Sequence, residues 1–411
     1  MQMEVCSSFH PQKIHRIKVK RLCPVCSSSY ADLLHTIHYP GASDRILPVE
    51  YRIVACTHCG MVYDDFDASE AVFAQYYAET GKYSMDETCG AGGNSSSDIA
   101  RFDQTIDNLL PFLPNKHLSI ADIGCGKGGL LMSLFNRGFH DLYAVDPSPG
   151  CIQYIKKHYP FKTACSDLRT YEPGIQFDLI ICSQVLEHLF DPRAGIEAVR
   201  RLLKPGALFY CDLPDASRYL KYTKAPLYFF DQEHINHFYP ATLKRLLESN
   251  GLQVEQLFMQ ENYPLVGFPC PNLAAVSISN GSTYCDDVPA DYTPTIQYLQ
   301  DSLSREKSVD PHLNTRIAGT GYLWGVGAYC LRLLQEGSFR HLELNGLIDL
   351  DVKKQGTIIS GLRVFPPSVL KECSDPNIYV IITSVLYQHQ IEKMLEELGF
   401  SGRVYNLCGS V

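Results

Sequence analysis

Four cysteines near the N-terminus are spaced for binding a metal ion. Cys23 and Cys26 form one C-x2-C pair, and Cys56 and Cys59 form a second. Two such pairs can present four thiolates at the corners of a tetrahedron, which is the usual coordination of zinc. Four thiolates leave no open position for water or substrate, so we predict a structural zinc ion. His58, inside the second pair, is a weaker alternative ligand.

A glycine-rich turn follows a strand-like segment in the middle of the chain. Leu118–Ile123 predicts a strand, and Gly124, Gly126 and Gly129 match the dinucleotide pattern G-x-G-x-x-G. Asp122 lies at the mouth of this turn, where its carboxylate would repel a pyrophosphate. The same carboxylate is compatible with the cationic amino group and sulfonium of S-adenosylmethionine. We therefore predict S-adenosylmethionine as the cofactor, with Asp122, Gly124 and Gly126 among its binding residues.

Polar residues also follow the next predicted strands. Asp146 ends the strand after the glycine turn and is placed to accept hydrogen bonds from ribose hydroxyls. Asp167 follows the next strand region, near the expected adenine edge, and Gln184 and His188 follow the fourth strand. These four residues complete the predicted cofactor-binding set. The ordered series over residues 120–211 resembles the class I methyltransferases, which implies a Rossmann-like α/β domain.

A second polar cluster, Glu233, His234 and His237, lies just beyond this series. A neutral imidazole can accept a proton near pH 7, and Glu233 could orient such a ring, so the cluster is a candidate centre for acid–base chemistry. Two other interpretations stay open for these side chains. They could belong to an ordinary polar helix terminus, or they could bind a metal ion.

The whole chain resembles the sugar-nucleotide C-methyltransferases of deoxysugar biosynthesis. Those proteins combine a four-cysteine zinc module, a class I domain and a C-terminal Rossmann-like domain, and Glu233 and His234 fall on the Glu-His of their reaction-centre motif. The resemblance implies that His234 removes a proton from carbon next to a keto group, giving an enolate that attacks the methyl group. It also implies a catalytic tyrosine from a lid segment, residues 72–97. The candidates are Tyr76, Tyr77 and Tyr83, and Tyr77 is the one assigned.

Two alternatives accompany this assignment. The form Glu-His-Ile-Asn-His-Phe over residues 233–238 also resembles a broader set of bacterial methyltransferases linked to surface glycans. O- or N-methylation of a glycan precursor on the same scaffold is therefore one alternative. A zinc-stapled scaffold that senses the cofactor without turnover is the other. For an enzyme, the expected partner is a small nucleotide-linked sugar or glycan precursor.

The motifs divide the chain into four parts. We predict a zinc-binding module over 1–70, a methyltransferase domain over 71–275, a linker and helix over 276–311, and a C-terminal Rossmann-like α/β domain over 312–411. The methyltransferase domain is expected to fold independently of the zinc module. In the C-terminal domain, Thr315–Ala318 is expected to be a strand and Gly319–Gly321 its glycine turn. NAD binding, help in holding a nucleotide-sugar, and a purely architectural role all stay open for this domain.

Composition and charge exclude several other classes of protein. The net charge is -9, and an acidic chain repels phosphate backbones, so we expect no nucleic-acid partner. The basic segment Lys13–Arg21 is interpreted as a solvated strand. No uninterrupted apolar run is long enough for a membrane span, so no membrane association is expected. The chain has 16 cysteines and no export signal, which predicts reduced thiols and a cytoplasmic location.

Overall fold

The computed structural model describes residues 15–38, 46–79, 92–93, 95–222, 225–265, 268–281, 283, 288–313, 317–373 and 377–407. This part of the chain contains three β-sheets, which follow one another along the sequence. One short strand from the sequence of the second sheet pairs with the first sheet instead. Helices cover the second and third sheets. Among the helices described, none is long and apolar enough to cross a bilayer.

The first sheet is antiparallel and carries the cysteine pairs in its loops. Its strands are β1 (His15–Lys18), β2 (Tyr30–His38), β3 (Glu50–Cys56) and β4 (Val62–Asp65). The helices α1 (Glu70–Glu79) and α2 (Ser96–Leu109) lead from this sheet into the next. The Oγ of Ser95 caps α2 by accepting a hydrogen bond from the backbone N–H of Asp98.

The second sheet has seven strands, and five of them run parallel. Its parallel strands are β5 (Ser119–Ile123), β6 (Asp141–Asp146), β7 (Lys162–Cys165), β8 (Phe177–Ser183) and β9 (Leu203–Pro214). The helices between them are α3 (Gly129–Asn136), α4 (Pro149–His158) and α5 (Pro192–Leu202). The short strand β10 (Asn236–His237) precedes α6 (Pro240–Ser249). The antiparallel strands β11 (Leu252–Leu265) and β12 (Phe268–Ser279) complete the order β11-β12-β9-β8-β5-β6-β7.

The expectation that this domain folds independently of the zinc module stays a prediction, but the two share a strand and a buried cluster. Strand β10 lies between β9 and β11 in the sequence, but it pairs with β4 of the first sheet. Asn236 is opposite Tyr63, and His237 is opposite Val62. Cys23, Cys56 and Cys59 also belong to one buried apolar cluster with residues of the central domain, including Phe238, and Cys26 packs against it. The sequence pattern could not indicate this sharing, because β10 has only two residues.

The interpretation of the basic segment needs a correction at its last residue. Strand β1 is largely exposed, as a solvated strand should be. Arg21 is instead only 4% exposed, and its guanidinium donates to the carbonyl oxygens of Phe190 at 2.8 Å and Ile235 at 3.0 Å. It also donates to Oδ1 of Asn236 at 2.6 Å. Burial lowers the pKa of Arg21 to about 10, so it stays charged at neutral pH and ties the first sheet to two loops of the central domain.

The third sheet is mostly parallel and follows the long helix α7 (Thr293–Leu313). Its elements are β13 (Thr320–Trp324), α8 (Ala328–Gln335), β14 (Glu343–Ile348), β15 (Ile358–Ile359), β16 (Leu362–Phe365), β17 (Tyr379–Ile382), α9 (Gln388–Glu397) and β18 (Arg403–Asn406). Arg332 of α8 fixes this domain to the rest. Its guanidinium lies 2.9 Å from the carboxylate of Glu306 and donates to the carbonyl oxygen of Pro226 at 2.7 Å.

Thr315 and Arg316 of the predicted first strand lie outside the described residues, whereas Ile317 and Ala318 are not in a strand and the predicted turn Gly319–Gly321 runs into one. The strand is β13, and the turn into the helix is Gly325–Gly327. Gly321 lies inside the strand, where a Cβ would come within 2.3 Å of the ring of Tyr379. Its glycine is therefore needed for packing between parallel strands, not for a turn.

Candidate functional site

The two cysteine pairs converge on one point in the first sheet. The Sγ atoms of Cys23 and Cys59 are 3.5 Å apart, as are those of Cys26 and Cys56. All four Sγ atoms lie within 4.8 Å of one another. Sulfurs bound tetrahedrally to zinc at about 2.3 Å would be roughly 3.8 Å apart, so the arrangement is compatible with a four-cysteine zinc site. His58 is exposed and lies outside this group.

The predicted cofactor-binding residues all line one cavity at the carboxyl ends of the parallel strands. They are Asp122, Gly124, Gly126, Asp146, Asp167, Gln184 and His188. The cavity has a volume of about 590 Å³. Parallel strands end at the same edge of a sheet, which brings these residues together from four different strands. Their roles in binding a ligand remain predictions.

The glycine turn allows the backbone to approach this cavity closely. Gly124 and Gly126 have φ values of 77° and 53°, in the left-handed region that favours glycine. A Cβ at Gly124 would come within 2.5 Å of the Cγ2 of Val185. Alanine at Gly124 would therefore be strained by its backbone angle, and its methyl group would clash with Val185.

Two buried carboxyl groups lie at the floor of the cavity. Asp122 is 2% exposed, and burial raises its pKa to about 7. Asp146 is 7% exposed, and its carboxylate accepts hydrogen bonds from the backbone N–H groups of Gly126 at 2.9 Å and Ser148 at 2.8 Å. Arg101 also lines the cavity and is a cation that no sequence motif had indicated. The cavity therefore offers both negative and positive charge to a ligand.

Asp167 and Gln184, two further polar residues of the set, are held by different hydrogen bonds. Asp167 is exposed at the rim, and its Oδ1 accepts hydrogen bonds from the backbone N–H groups of Arg169 and Thr170 at 2.8 and 3.1 Å. Gln184 has a φ of 56°, and its side-chain amide donates to Oδ1 of Asp212 at 2.7 Å. Both side chains are therefore fixed in place by the protein itself.

The lid tyrosines and the polar cluster meet beside the cavity. The hydroxyl of Tyr77 lies 3.0 Å from Nδ1 of His188, and Tyr76 donates to Oε1 of Glu233 at 2.6 Å. The rings of His188 and His234 are 4.8 Å apart between centroids. Tyr83 lies outside the described residues. Tyr77 lines the cavity whereas Tyr76 contacts Glu233, so both remaining candidates belong to the site.

The histidines of the site differ in environment. Burial lowers the pKa of His188 to about 4, so this imidazole is neutral at neutral pH. His234 has a side chain that is 26% exposed. His237 is fully buried, with Nδ1 at 3.2 Å from the hydroxyl of Tyr219 and Nε2 at 3.4 Å from Oδ1 of Asp64. His237 is therefore held in the core by its neighbours, whereas His234 remains partly exposed.

The C-terminal domain has a smaller cavity of its own. It has a volume of about 310 Å³ and lies at the carboxyl ends of the third sheet, next to the turn Gly325–Gly327. Lys354 and Asp349 line it, and the Nζ of Lys354 is 3.1 Å from Oδ2 of Asp349. Open α/β sheets bind their ligands in a crevice at the carboxyl ends of the strands, and this cavity lies at the corresponding position.

Comparison with known proteins identifies the central part of the chain. Residues 98–257 match the family model of a methyltransferase domain. The ubiquinone biosynthesis O-methyltransferase of Cereibacter sphaeroides is 33% identical over 151 residues, which cover 34% of this chain and 60% of that protein. The human mitochondrial ubiquinone biosynthesis O-methyltransferase is 27% identical over 188 residues, which cover 39% of this chain and 50% of that protein. The match thus spans about three fifths or less of each of these relatives.

Solved methyltransferase structures are similar to about half of the chain. Magnesium protoporphyrin IX methyltransferase from Synechocystis with bound S-adenosylmethionine has a TM-score of 0.37 and 17% identity, covering 51% of this chain and 99% of that one. The N-methyltransferase NodS from Bradyrhizobium japonicum has a TM-score of 0.34 and 18% identity, covering 45% and 98%. The family match and the parallel sheet of the central domain confirm the predicted class I methyltransferase fold.

Proposed function

Because residues 98–257 form a methyltransferase domain, we propose that the protein transfers the methyl group of S-adenosylmethionine to a small acceptor that must lose a proton. The observation that carries this proposal is the cavity that all seven predicted cofactor residues line, His188 among them. Tyr77 lines the same cavity. The cavity would hold the cofactor, and the polar cluster beside it would act on the acceptor.

The charges in the cavity suit this cofactor. Asp122 and Asp146 could bind the amino group and the ribose hydroxyls, and Arg101 could bind a carboxylate. A pyrophosphate would meet two buried carboxyl groups, which argues against NAD. When bound, S-adenosylmethionine supplies an electrophilic methyl group on a positively charged sulfur.

The pair Glu233 and His234 would accept the proton that the acceptor loses. Asp231 fixes this pair, because its Oδ1 accepts hydrogen bonds from the backbone N–H groups of both residues at 2.8 Å. Removal of the proton leaves an electron pair on the acceptor. That pair forms the bond to the methyl carbon while the bond between methyl carbon and sulfur breaks, and sulfur keeps its electrons.

We propose a nucleotide-linked sugar as the acceptor, methylated at carbon next to a keto group. Three features support it: the four-cysteine cluster, the Glu233–His234 pair beside the cavity, and a third sheet with a crevice of its own. The matched relatives cover only 34% to 39% of the chain. The C-terminal crevice could hold the nucleotide end while the sugar reaches Glu233 and His234, so that remote binding energy supports turnover.

O-methylation of a small acceptor is the second candidate function, because the relatives quoted above are named as O-methyltransferases. One experiment separates the two candidates. The protein is incubated with methyl-labelled cofactor and a panel of nucleotide-linked keto and hydroxy sugars, and the label is located by mass spectrometry. Label on carbon, with exchange of the adjacent C–H proton into heavy water, supports the first candidate. Label on oxygen supports the second, and no labelled product from the panel contradicts the sugar acceptor.

The affinity for S-adenosylmethionine should depend on pH through Asp122. Its pKa of about 7 is raised by burial, and a cationic ligand prefers the ionised carboxylate. Binding should therefore weaken as the pH falls below that value, by up to about tenfold per pH unit. Calorimetry between pH 5.5 and 7.5 measures this effect, and Asp122→Asn is the matched control, which should bind weakly and with a flat pH profile. A flat profile in the unaltered protein would exclude Asp122 as the group that binds the cation.

A further inference from the structure

Three side chains with metal-binding atoms meet at the edge of the cofactor cavity, which one of them, His188, lines. They are Glu187, His188 and His234, and one ligand atom of each lies within 4.8 Å of the other two. Glu187 and His188 follow β8, and His234 comes just before β10. Two imidazoles and one carboxylate form a different donor set from the four thiolates of the first sheet.

The carboxylate of Glu187 is buried without a compensating partner. The residue is 1% exposed, and neither Oε1 nor Oε2 has a hydrogen-bond partner among the described residues. An isolated ionised carboxylate costs several kcal/mol to bury, so such a group needs a proton or a cation nearby. The nearest ring nitrogen is Nε2 of His188, at 3.8 Å from Oε1.

The hydrogen bonds of His188 determine which of its nitrogens carries the proton. Nδ1 lies 2.9 Å from the carbonyl oxygen of Glu233, which can only accept, and 3.0 Å from the hydroxyl of Tyr77, which can accept as well as donate. Nδ1 is therefore the donor, and Nε2 of the neutral ring keeps its lone pair facing Glu187. Metal-binding histidines are oriented in this way, with the second nitrogen donating to a backbone carbonyl.

We propose that Glu187, Nε2 of His188 and His234 bind one divalent transition-metal ion of the kind that accepts imidazole and carboxylate ligands. The positive ion would neutralise the buried carboxylate and fill the gap between two facing lone pairs. Three protein ligands leave coordination positions open for an oxygen atom of the acceptor.

This inference rests on the proposed function and assigns separate roles within the Glu233–His234 pair. His234 becomes a ligand, and the proton of the acceptor passes to the carboxylate of Glu233, which Tyr76 holds. With its oxygen on the ion, the acceptor is more acidic, since the ion stabilises the negative charge left behind. No electron transfer is required, because the ion keeps its charge throughout.

Metal binding can be measured without turnover. Mn²⁺ is the probe, because carboxylate ligands suit it whereas thiolates select zinc. The zinc-loaded full-length protein is titrated with Mn²⁺ and followed by electron paramagnetic resonance. One tightly bound Mn²⁺ per chain is expected, and Glu187→Gln should weaken its binding by more than about 100-fold. Glu233→Gln is the matched control, which should keep Mn²⁺ binding and lose turnover.

Two measurements keep the outcome clear. Thermal melting and S-adenosylmethionine affinity show whether Glu187→Gln is folded, and His234→Gln tests the same site at a more exposed residue. Absence of Mn²⁺ and Co²⁺ binding in the unaltered protein would overturn the metal site and indicate that Glu187 is protonated. Full turnover after chelation would overturn it too, while leaving the proposed function intact. Stoichiometric binding lost in both variants supports the site even where no acceptor is methylated, an outcome that counts against the proposed function alone.

Discussion

Replacing His234 with alanine is expected to lower turnover by roughly 10²–10⁴-fold, the range for losing a group that takes part directly in proton transfer. The loss should follow whether the imidazole accepts the proton or holds an ion that makes the acceptor acidic. Affinity for S-adenosylmethionine should hardly change, because His234 is not among the residues that line the cofactor cavity. Single-turnover kinetics with labelled cofactor, together with calorimetry, measure the two quantities separately.

His389→Ala is the matched control for this variant. Its side chain is 90% exposed and lies on α9 of the C-terminal domain. Removing it should change neither turnover nor cofactor affinity. A near-normal rate in His234→Ala would exclude both roles of the imidazole and would leave Glu233, with Tyr76, as the group to test next.

The cofactor cavity could be predicted from the sequence because of a simple topological rule. A parallel strand that ends in a glycine turn or an acidic residue presents it at the same edge as its neighbours. Asp122 and Asp146 lie at the carboxyl ends of β5 and β6, and Gln184 follows β8, yet all of them line one cavity. Local sequence near each strand end was therefore enough to bring the set together.

The parts that the sequence could not predict depend on contacts between distant segments. Glu187 is next to His188 in the sequence, but its importance comes from burial without a partner, which no pattern encodes. Arg21 looked like part of a solvated basic strand, whereas it binds carbonyl oxygens more than 160 residues away, such as that of Phe190. In the C-terminal domain the sequence does contain a pattern that indicates the first strand and its turn. The apolar run Tyr322–Trp324 followed by Gly325 and Gly327 predicts the strand and turn better than the earlier glycines do.

The second large effect is expected from Cys56→Ser. This change should abolish stoichiometric zinc, because a four-cysteine site reduced to three thiolates binds the ion much more weakly. Elemental analysis of the purified protein should show one zinc per chain before the substitution and a small fraction afterwards. We expect the loss to destabilise the protein by more than about 3 kcal/mol, the class of effect caused by removing a structural metal. His58→Ala is the control, because this exposed residue lies outside the cysteine group and zinc should be retained.

The damage in Cys56→Ser should spread beyond the first sheet. Cys56 ends β3, β3 pairs with β4, and β4 pairs with β10 at Asn236 and His237, only two residues after His234. Hydrogen exchange followed by mass spectrometry should therefore show faster exchange in β4, in β10 and at the start of α6, and turnover should fall with it. The strands β5 and β6 should lose less protection, because the face that carries Ile120, Leu142 and Ala144 packs in a buried cluster that contains none of the four zinc-site cysteines. Faster exchange confined to residues 15–65, with normal turnover, would instead mean that the zinc module is an independent unit despite the strand that it shares.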